Sequence, residues 1–271
     1  MIMDMMEHGA RLVVGSLSDA DGQLSLVPHA TVIVVLVGSA IAFHCLNVAL
    51  NFTPVLEKRD REIRFRWRNI VTSFIHAVIS GFSACYCLYS SPELLEDIKQ
   101  HVTTISIVLV ALSVGYFVYD LADILISRPI RTTWPLAIHH VVICFCFGIS
   151  LHLRAYIGYA VVALVAETNS IFLHLRQILL IMGVPKSAPI YRVNGAVNIA
   201  TYLIFRFGTL FWMFYWLQSH RTEVPLTLYT IAAGGLVIMI VINLVLFKRL
   251  LVSDFLSPGD KLKKDKNVLE K

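Results

Sequence analysis

Five acidic and histidine side chains lie within or at the ends of segments that are otherwise apolar enough to cross a bilayer. They are Asp120, Asp123, His139, His140 and Glu167. An ionisable group inside hydrocarbon is costly, so it is retained where it has a partner or a function. An imidazole beside a carboxylate is also the pair that general-base and nucleophilic chemistry uses. These residues therefore mark the predicted functional site.

The composition indicates what must position these residues. Hydrophobic residues form 57% of the 271-residue chain and charged residues 15%, with a mean hydropathy of +0.71. A soluble fold of this length could not bury so much apolar surface, so the sequence predicts an all-α, polytopic transmembrane bundle. One crossing needs about 20 apolar residues. Seven segments meet that requirement: 30–50, 69–90, 102–126, 135–151, 155–182, 191–217 and 225–247. We expect the long fifth and sixth segments to tilt or kink.

Lysine and arginine are unevenly distributed between the two sets of loops. Of the 23 basic residues, 18 fall in one set together with the C-terminal segment, four fall in the other set, and Arg206 lies within a segment. Cytoplasmic loops carry the excess of basic residues, so we expect the N-terminus outside and the C-terminus in the cytosol. The predicted organisation is a short extracellular segment (1–29), a transmembrane bundle (30–255) and a basic cytosolic tail (256–271).

With this orientation, the polar groups gather in the cytosolic half of the bundle. Tyr116 shares a helical stripe with Asp120 and Asp123, because residues four and seven positions apart face the same side. The His-His pair begins the next segment, directly across a short loop. The other members of this predicted polar cluster, which binds lipid or maintains helix packing, are His76, Glu167, Asn169, His174 and Arg206.

Two pairs of these residues have specific expected roles. Arg206 lies near the middle of the sixth segment, where a guanidinium needs a carboxylate, and Glu167 lies at the same depth. This favours a structural ion pair between them. His139 and His140 differ, because neighbouring side chains on a helix point about 100° apart and can serve two partners. Functional and structural roles stay equally open for the two histidines.

The aspartates also have two interpretations. Asp120 and Asp123 could pair with His139 and Arg131 to close a helix hairpin, or they could orient an imidazole for chemistry. We expect no metal site, because two adjacent histidines on one helix cannot both reach a single ion. Nucleotide-binding, nucleophile-elbow and nucleic-acid motifs do not occur in the sequence, so we predict no cofactor and no nucleic-acid partner.

Three stretches carry a resemblance to a known family: SVGYFVYDLADILI, TWPLAIHH and ETNSIFLHLRQILL. They resemble the TLC (TRAM, LAG, CLN8 homology) superfamily, and within it the group of vertebrate TLC domain-containing proteins 1 and 2. The similarity extends from about Arg66 to Asp254, in a TLC domain of about 60–255. The stretches HLRQILL and VPLTL are more similar to the second member of the group.

The resemblance also carries expectations about function. The ceramide synthases of this superfamily have a His-His pair followed, one helix later, by His-Asp-x-x-Asp. This chain keeps the pair but has AETNS at 166–170, where only Glu167 replaces an acidic residue, so the resemblance does not imply ceramide synthesis. It implies a multi-pass plasma-membrane protein that governs the acyl composition of membrane phospholipids, and so membrane fluidity, and limits polyunsaturated chains. Its implied partners are membrane phospholipids and fatty acyl chains.

Three functions stay open at this point. The first is a non-enzymatic lipid regulator whose polar cluster maintains helix packing. The second is a phospholipid acyltransferase with acyl-CoA as substrate, in which His139 or His140 acts as base or transient acyl carrier and Asp120 or Asp123 orients the ring. The third is a seven-helix receptor or channel, which matches the helix count but not the polar stripe that a channel needs through the full membrane depth. The sequence predicts no particular protein partner.

Overall fold

The computed structural model describes residues 27–54, 60–127 and 130–256, and these ranges contain helices and no strand. Seven helical segments are long and apolar enough to cross a membrane: His29–Phe52, Arg61–Ser90, Thr104–Ser127, Thr133–Leu153, Ile157–Ile181, Pro189–Ser219 and Leu226–Asp254. The predicted bundle of seven spans is therefore confirmed. Most of the predicted extracellular segment and the tail from 257 onward lie outside the described residues.

The helices are α1 (His29–Ala49), α2 (Arg61–Ser90), α3 (Glu93–Glu96), α4 (Thr104–Ser127), α5 (Ile130–Leu153), α6 (Ile157–Val165), α7 (Glu167–Ile181), α8 (Pro189–Thr201), α9 (Gly208–Ser219) and α10 (Leu226–Leu251). A 3₁₀ turn (Leu50–Phe52) follows α1, and π turns follow α8 (Tyr202–Phe207) and α10 (Val252–Leu256).

The second span begins earlier than hydropathy indicates. α2 starts at Arg61, eight residues before the predicted boundary at 69. Its first two turns are rich in arginine, which lowers hydropathy but favours helix formation. The predicted boundary is eight residues late because hydropathy detects only the apolar part of a helix, whereas the helical backbone begins at Arg61.

The helix α4 forms the centre of the bundle. In the most apolar 18-residue stretch of α4, 67% of the residues are buried inside the bundle. The corresponding stretch of the last span has only 11% buried. α4 packs closely on α1 because Gly115 carries no side chain: a Cβ there would lie 2.2 Å from the carbonyl oxygen of Leu36. Beside it, the Ser39 hydroxyl donates a hydrogen bond of 2.7 Å to the carbonyl oxygen of Leu112. The central position of α4 brings its polar residues into the interior of the bundle.

The fifth and sixth spans are irregular, as their length leads us to expect. The fifth is broken at Ala166, whose N–H donates to the carbonyl oxygen of Ala163, three residues back instead of four. The sixth contains the π turn Tyr202–Phe207. An extra residue in one turn rotates the side chains that follow it, and π turns occur frequently at functional sites.

Loop contacts fix both ends of the bundle. On the side where α5 ends, Lys99 pairs with Glu223, and the N–H of Tyr156 donates to the carbonyl oxygen of Lys99 at 3.1 Å. On the other side, Asp254 accepts hydrogen bonds from Arg176 Nε at 2.6 Å and from the Tyr191 hydroxyl at 3.0 Å. These contacts connect helices that are distant in sequence.

Candidate functional site

A buried polar network joins α2, α4 and α5. The Asn69 side-chain amide donates to Asp120 Oδ1 at 2.7 Å, and His140 Nε2 lies 3.1 Å from Asp120 Oδ2. His140 Nδ1 lies 2.8 Å from the carbonyl oxygen of Leu136, one turn earlier on α5. The His140 and Asp120 side chains are only 5% and 4% exposed. Both carboxylate oxygens and both ring nitrogens therefore have partners inside the protein.

The geometry determines where the protons of this network lie. The carbonyl oxygen of Leu136 can only accept, so His140 Nδ1 carries a proton. Two lone pairs facing each other at 3.1 Å would repel, so a second proton lies between Nε2 and Asp120 Oδ2. His140 has no free lone pair with which to accept a proton from a substrate. This favours a structural role for the Asp120–His140 pair.

The expected hairpin closure is correct for Asp120 but uses the other histidine. His140, and not His139, contacts Asp120, because neighbouring side chains on α5 point about 100° apart and only one can face α4. Asp123 does not join this network. Its Oδ2 atom is buried without a hydrogen-bond partner, within electrostatic range of Arg68 and His44. The side chain of Arg131 lies outside the described residues.

His76 and Tyr116 form an aromatic stack next to this network. Their rings are 3.8 Å apart and 11° from parallel, and Phe43 and Phe117 contact the His76 ring edge-on. His76 is 1% exposed and its Nε2 atom has no hydrogen-bond partner. The structure places His76, which the sequence assigned to the polar cluster, among aromatic packing contacts. His174 is only half-buried, and its Nδ1 atom also has no hydrogen-bond partner.

Arg206 does not make the expected ion pair with Glu167. Its three nitrogens donate to neutral groups: Nε to Asn169 Oδ1 at 2.8 Å, Nη1 to Asn243 Oδ1 at 2.9 Å and Nη2 to the Ser170 hydroxyl at 2.7 Å. Within the described residues, no carboxylate oxygen lies within 4.0 Å of this guanidinium.

Depth along a helix, from which the ion pair was inferred, gives no information about the direction of a side chain around the helix axis. Here two backbone irregularities change that direction. The break at Ala166 begins α7 anew, so that Asn169 and Ser170 face Arg206, which itself lies in the π turn of the sixth span. Asn169 also donates to the Asn198 carbonyl and side-chain oxygens at 2.9 Å, which holds its amide in place.

A cavity of about 160 Å³ lies between α5, α6, α9 and α10. Its walls are mostly apolar, and it is not fully sealed. Its polar end is formed by His139, Glu167, Arg206 and Asn243. Its far end is formed by Tyr156, Trp216, Leu217 and Val224.

The cavity is elongated. His139 and Ser150 both line it and are eleven residues apart on α5, so it extends over roughly 16 Å at a rise of about 1.5 Å per residue. The far end holds no charge, because the side chains that form it are aromatic or aliphatic. Tyr156 is fixed there in a left-handed conformation with φ 59°, which is rare for a bulky residue. The cavity therefore combines one polar end with a long apolar interior.

The predicted cluster thus divides into two parts. Asp120, His140, His76 and Tyr116 belong to the packed interior, whereas His139, Glu167 and Arg206 line the cavity. The imidazole of His139 is therefore the histidine ring of this pair that lines the cavity, and its Nδ1 atom is buried without a hydrogen-bond partner. Within the described ranges, no three His, Cys, Asp or Glu side chains meet in a way that could hold a metal ion.

Sequence reasoning missed two contributors to the site. Asn243 holds Arg206 and lines the cavity, and its signal was present: it is the single amide in the 26-residue apolar helix α10. Gly235 gave no signal. A Cβ on Gly235 would lie 3.3 Å from Cys146 Sγ and from Val142 Cγ1, so the absent side chain leaves room between α5 and α10.

Comparison with known proteins gives consistent results. A family model described as the TLC domain matches residues 66–252. TLC domain-containing protein 2 of Danio rerio is 43% identical over 237 residues, which cover 86% of this chain and 96% of the relative. Its Homo sapiens counterpart is 35% identical and covers 80% of this chain and 82% of the relative. TLC domain-containing protein 1 of Homo sapiens is 31% identical, with 81% and 89% covered.

Proposed function

The chain belongs to the TLC domain family, and on this premise we propose that it is a multi-pass plasma-membrane protein that governs the acyl composition of membrane phospholipids. It limits the incorporation of polyunsaturated chains and so tunes membrane fluidity. Its N-terminus lies outside and its C-terminus in the cytosol, as the distribution of basic residues favours. The family resemblance is the basis for proposing this role, and the cavity supports it.

The observation that carries the proposal is the elongated apolar cavity with one polar end. Its volume of about 160 Å³ is close to that of an engineered apolar cavity of about 150 Å³ that holds benzene. It therefore accepts part of an alkyl chain, while the remainder lies along the unsealed side next to lipid. The apolar walls favour an alkyl chain as ligand. The polar end of the cavity determines the orientation in which that alkyl chain binds.

The shape of the cavity gives a reason for discrimination between chains. Its walls are helices that run side by side, which favours a straight occupant. Every cis double bond bends an acyl chain, and several of them prevent it from lying straight over about 16 Å. A saturated or monounsaturated chain therefore makes more contacts than a polyunsaturated one. Differential binding of this kind is what a regulator of acyl composition requires.

Gly235 provides the test of the acyl-chain site, with Gly234 as a matched control. A leucine at position 235 would fill the space between α5 and α10, whereas a Cβ on Gly234 meets no atom within 4 Å. In cells lacking the endogenous protein, wild type and Gly234→Leu should lower the polyunsaturated fraction of phospholipids. Gly235→Leu, matched in abundance and thermal stability, should not. Equal activity of both leucine variants would contradict the proposal.

An acyltransferase is the second candidate, because His139 has an unpartnered ring nitrogen and lines the cavity. In this version His139 acts as the base or acyl carrier, and acyl-CoA donates the chain to a lyso-phospholipid. Purified protein in liposomes is incubated with labelled oleoyl-CoA and lyso-phospholipid. Product that disappears in His139→Ala but persists in His76→Ala supports this version. No product from folded wild type, with acyl composition still controlled in cells, favours the non-enzymatic regulator.

A further inference from the structure

Arg206 is a cation inside the membrane-spanning region whose three hydrogen-bond partners are all neutral. They are the side-chain oxygens of Asn169, Ser170 and Asn243. A guanidinium has five N–H groups, so two remain, one on each terminal nitrogen. Arg206 also lines the cavity. Its charge is therefore at the wall of the space where a ligand would lie.

A cation at this depth that contacts no carboxylate among the described residues attracts an anion. Arg206 lies 17 residues after the first residue and 13 before the last residue of its span, Pro189–Ser219, and is thus far from both surfaces. A charge there is costly unless it is paired. The Tyr202 ring, 5.3 Å from the guanidinium carbon, offers only a partial cation–π contact.

The anion must be compact and must carry a long alkyl chain. It has to reach mid-span depth, which excludes a bulky nucleotide or a substituted headgroup. It must also leave a chain in the apolar part of the cavity, which extends roughly 16 Å toward Tyr156. A carboxylate fits both requirements, and it matches the paired donors of a guanidinium.

We propose that the cavity binds an unesterified long-chain fatty acid, with its carboxylate on Arg206 and its chain directed toward Tyr156 and Trp216. This inference deepens the proposed function and rests on it in one respect, since it takes the cavity as the acyl-chain site. It adds that the ligand is the free acid. Esters and alcohols have no charge to offer Arg206, and the phosphate of an intact phospholipid carries a substituted headgroup that cannot reach this depth.

Two neighbouring residues set the strength of binding. Glu167 also lines the polar end, and its carboxylate repels that of the ligand. Removal of this charge should strengthen binding, whereas removal of the Arg206 charge should weaken it. The imidazole of His139 also lines this end of the cavity.

The test is direct binding to the purified full chain in nanodiscs, measured by displacement of a fluorescent fatty acid by oleate, oleyl alcohol or methyl oleate. Wild type should prefer oleate over methyl oleate. Arg206→Gln should weaken oleate binding about 10- to 100-fold and leave oleyl alcohol unaffected. Glu167→Gln should strengthen oleate binding several-fold. Because Glu167 accepts none of the Arg206 hydrogen bonds, this variant is informative even if Arg206→Gln fails to fold.

The outcomes separate this inference from the proposed function. Equal binding of oleate and methyl oleate, both blocked by Gly235→Leu but not by Gly234→Leu, overturns the fatty-acid inference and leaves the acyl-chain site intact. Weaker oleate binding in Glu167→Gln also overturns the inference. Binding that Gly235→Leu does not affect contradicts the cavity itself, and the proposed function with it.

Discussion

Replacement of Asp120 with alanine tests whether the buried network of α2, α4 and α5 is structural. The substitution removes the acceptor of the Asn69 amide at 2.7 Å and the partner of His140 Nε2 at 3.1 Å. Both donors would then be left inside the bundle, with the His140 side chain only 5% exposed. Removal of one member of a buried charged pair costs about 3–5 kcal/mol. For a chain of this size, we expect the melting temperature to fall by about 10 °C.

Asp123 provides the matched control on the same helix. Its side chain is only half-buried and its Oδ2 atom has no hydrogen-bond partner, so Asp123→Ala should lower the free energy of unfolding by less than Asp120→Ala does. Both variants are compared by thermal unfolding in detergent and by unfolding in urea. In the Asp120→Ala background, His140→Leu should recover part of the loss, because it removes one of the two orphaned donors.

The reasoning fails if the two alanine variants are equally stable. It also fails if the free-energy losses of His140→Leu and Asp120→Ala simply add in the double variant. Additive losses would mean that the two residues do not interact. A stable Asp120→Ala protein that loses its effect on lipids would indicate a chemical role for the carboxylate instead.

Three further perturbations address other parts of the fold. Gly115→Ala places a methyl group against a backbone oxygen and should cost about 1–3 kcal/mol, whereas Gly148→Ala, with no atom within 4 Å, should be neutral or stabilising in thermal unfolding. Asp254→Ala removes the carboxylate that accepts hydrogen bonds from an arginine of α7. We therefore expect faster proteolysis at the end of α10 in a limited-digestion time course. Lys99 lowers the pKa of Glu223 below its usual 4.5, so their ion pair stabilises the fold above pH 4.5 and is lost as the pH falls through the lowered value. The difference in melting temperature between wild type and Glu223→Gln should therefore shrink in acid.

The sequence predicted the parts of the fold that depend on one segment at a time. Seven spans follow from the length and hydropathy of each segment, and the concentration of polar groups at one depth follows from their positions in these spans. The partners of those groups depend on how helices are rotated against each other. Hydropathy does not determine that rotation, so Glu167 was assigned to Arg206 and His139 was weighed equally with His140.

The local backbone was the second source of error. The break at Ala166 and the π turn around Arg206 together bring Asn169 and Ser170 to the guanidinium. Neither irregularity is marked by a proline or glycine within it, the usual signals for a break in a helix. Only Asn243 could have been identified in advance, as an isolated amide in an apolar helix that needs a partner.

The two histidines show how a structural contact can control a functional one. Asp120 of α4 holds His140, which fixes the rotation of α5 about its axis, and the Leu136 carbonyl oxygen on α5 itself holds the other ring nitrogen. His139 follows about 100° away and is directed into the cavity for that reason. Asp120 therefore positions His139 without contacting it. Fatty-acid binding should therefore weaken in Asp120→Ala and in His140→Leu but no further in the double variant, because both substitutions remove the same contact, and this result would distinguish the indirect effect from a direct contact with ligand.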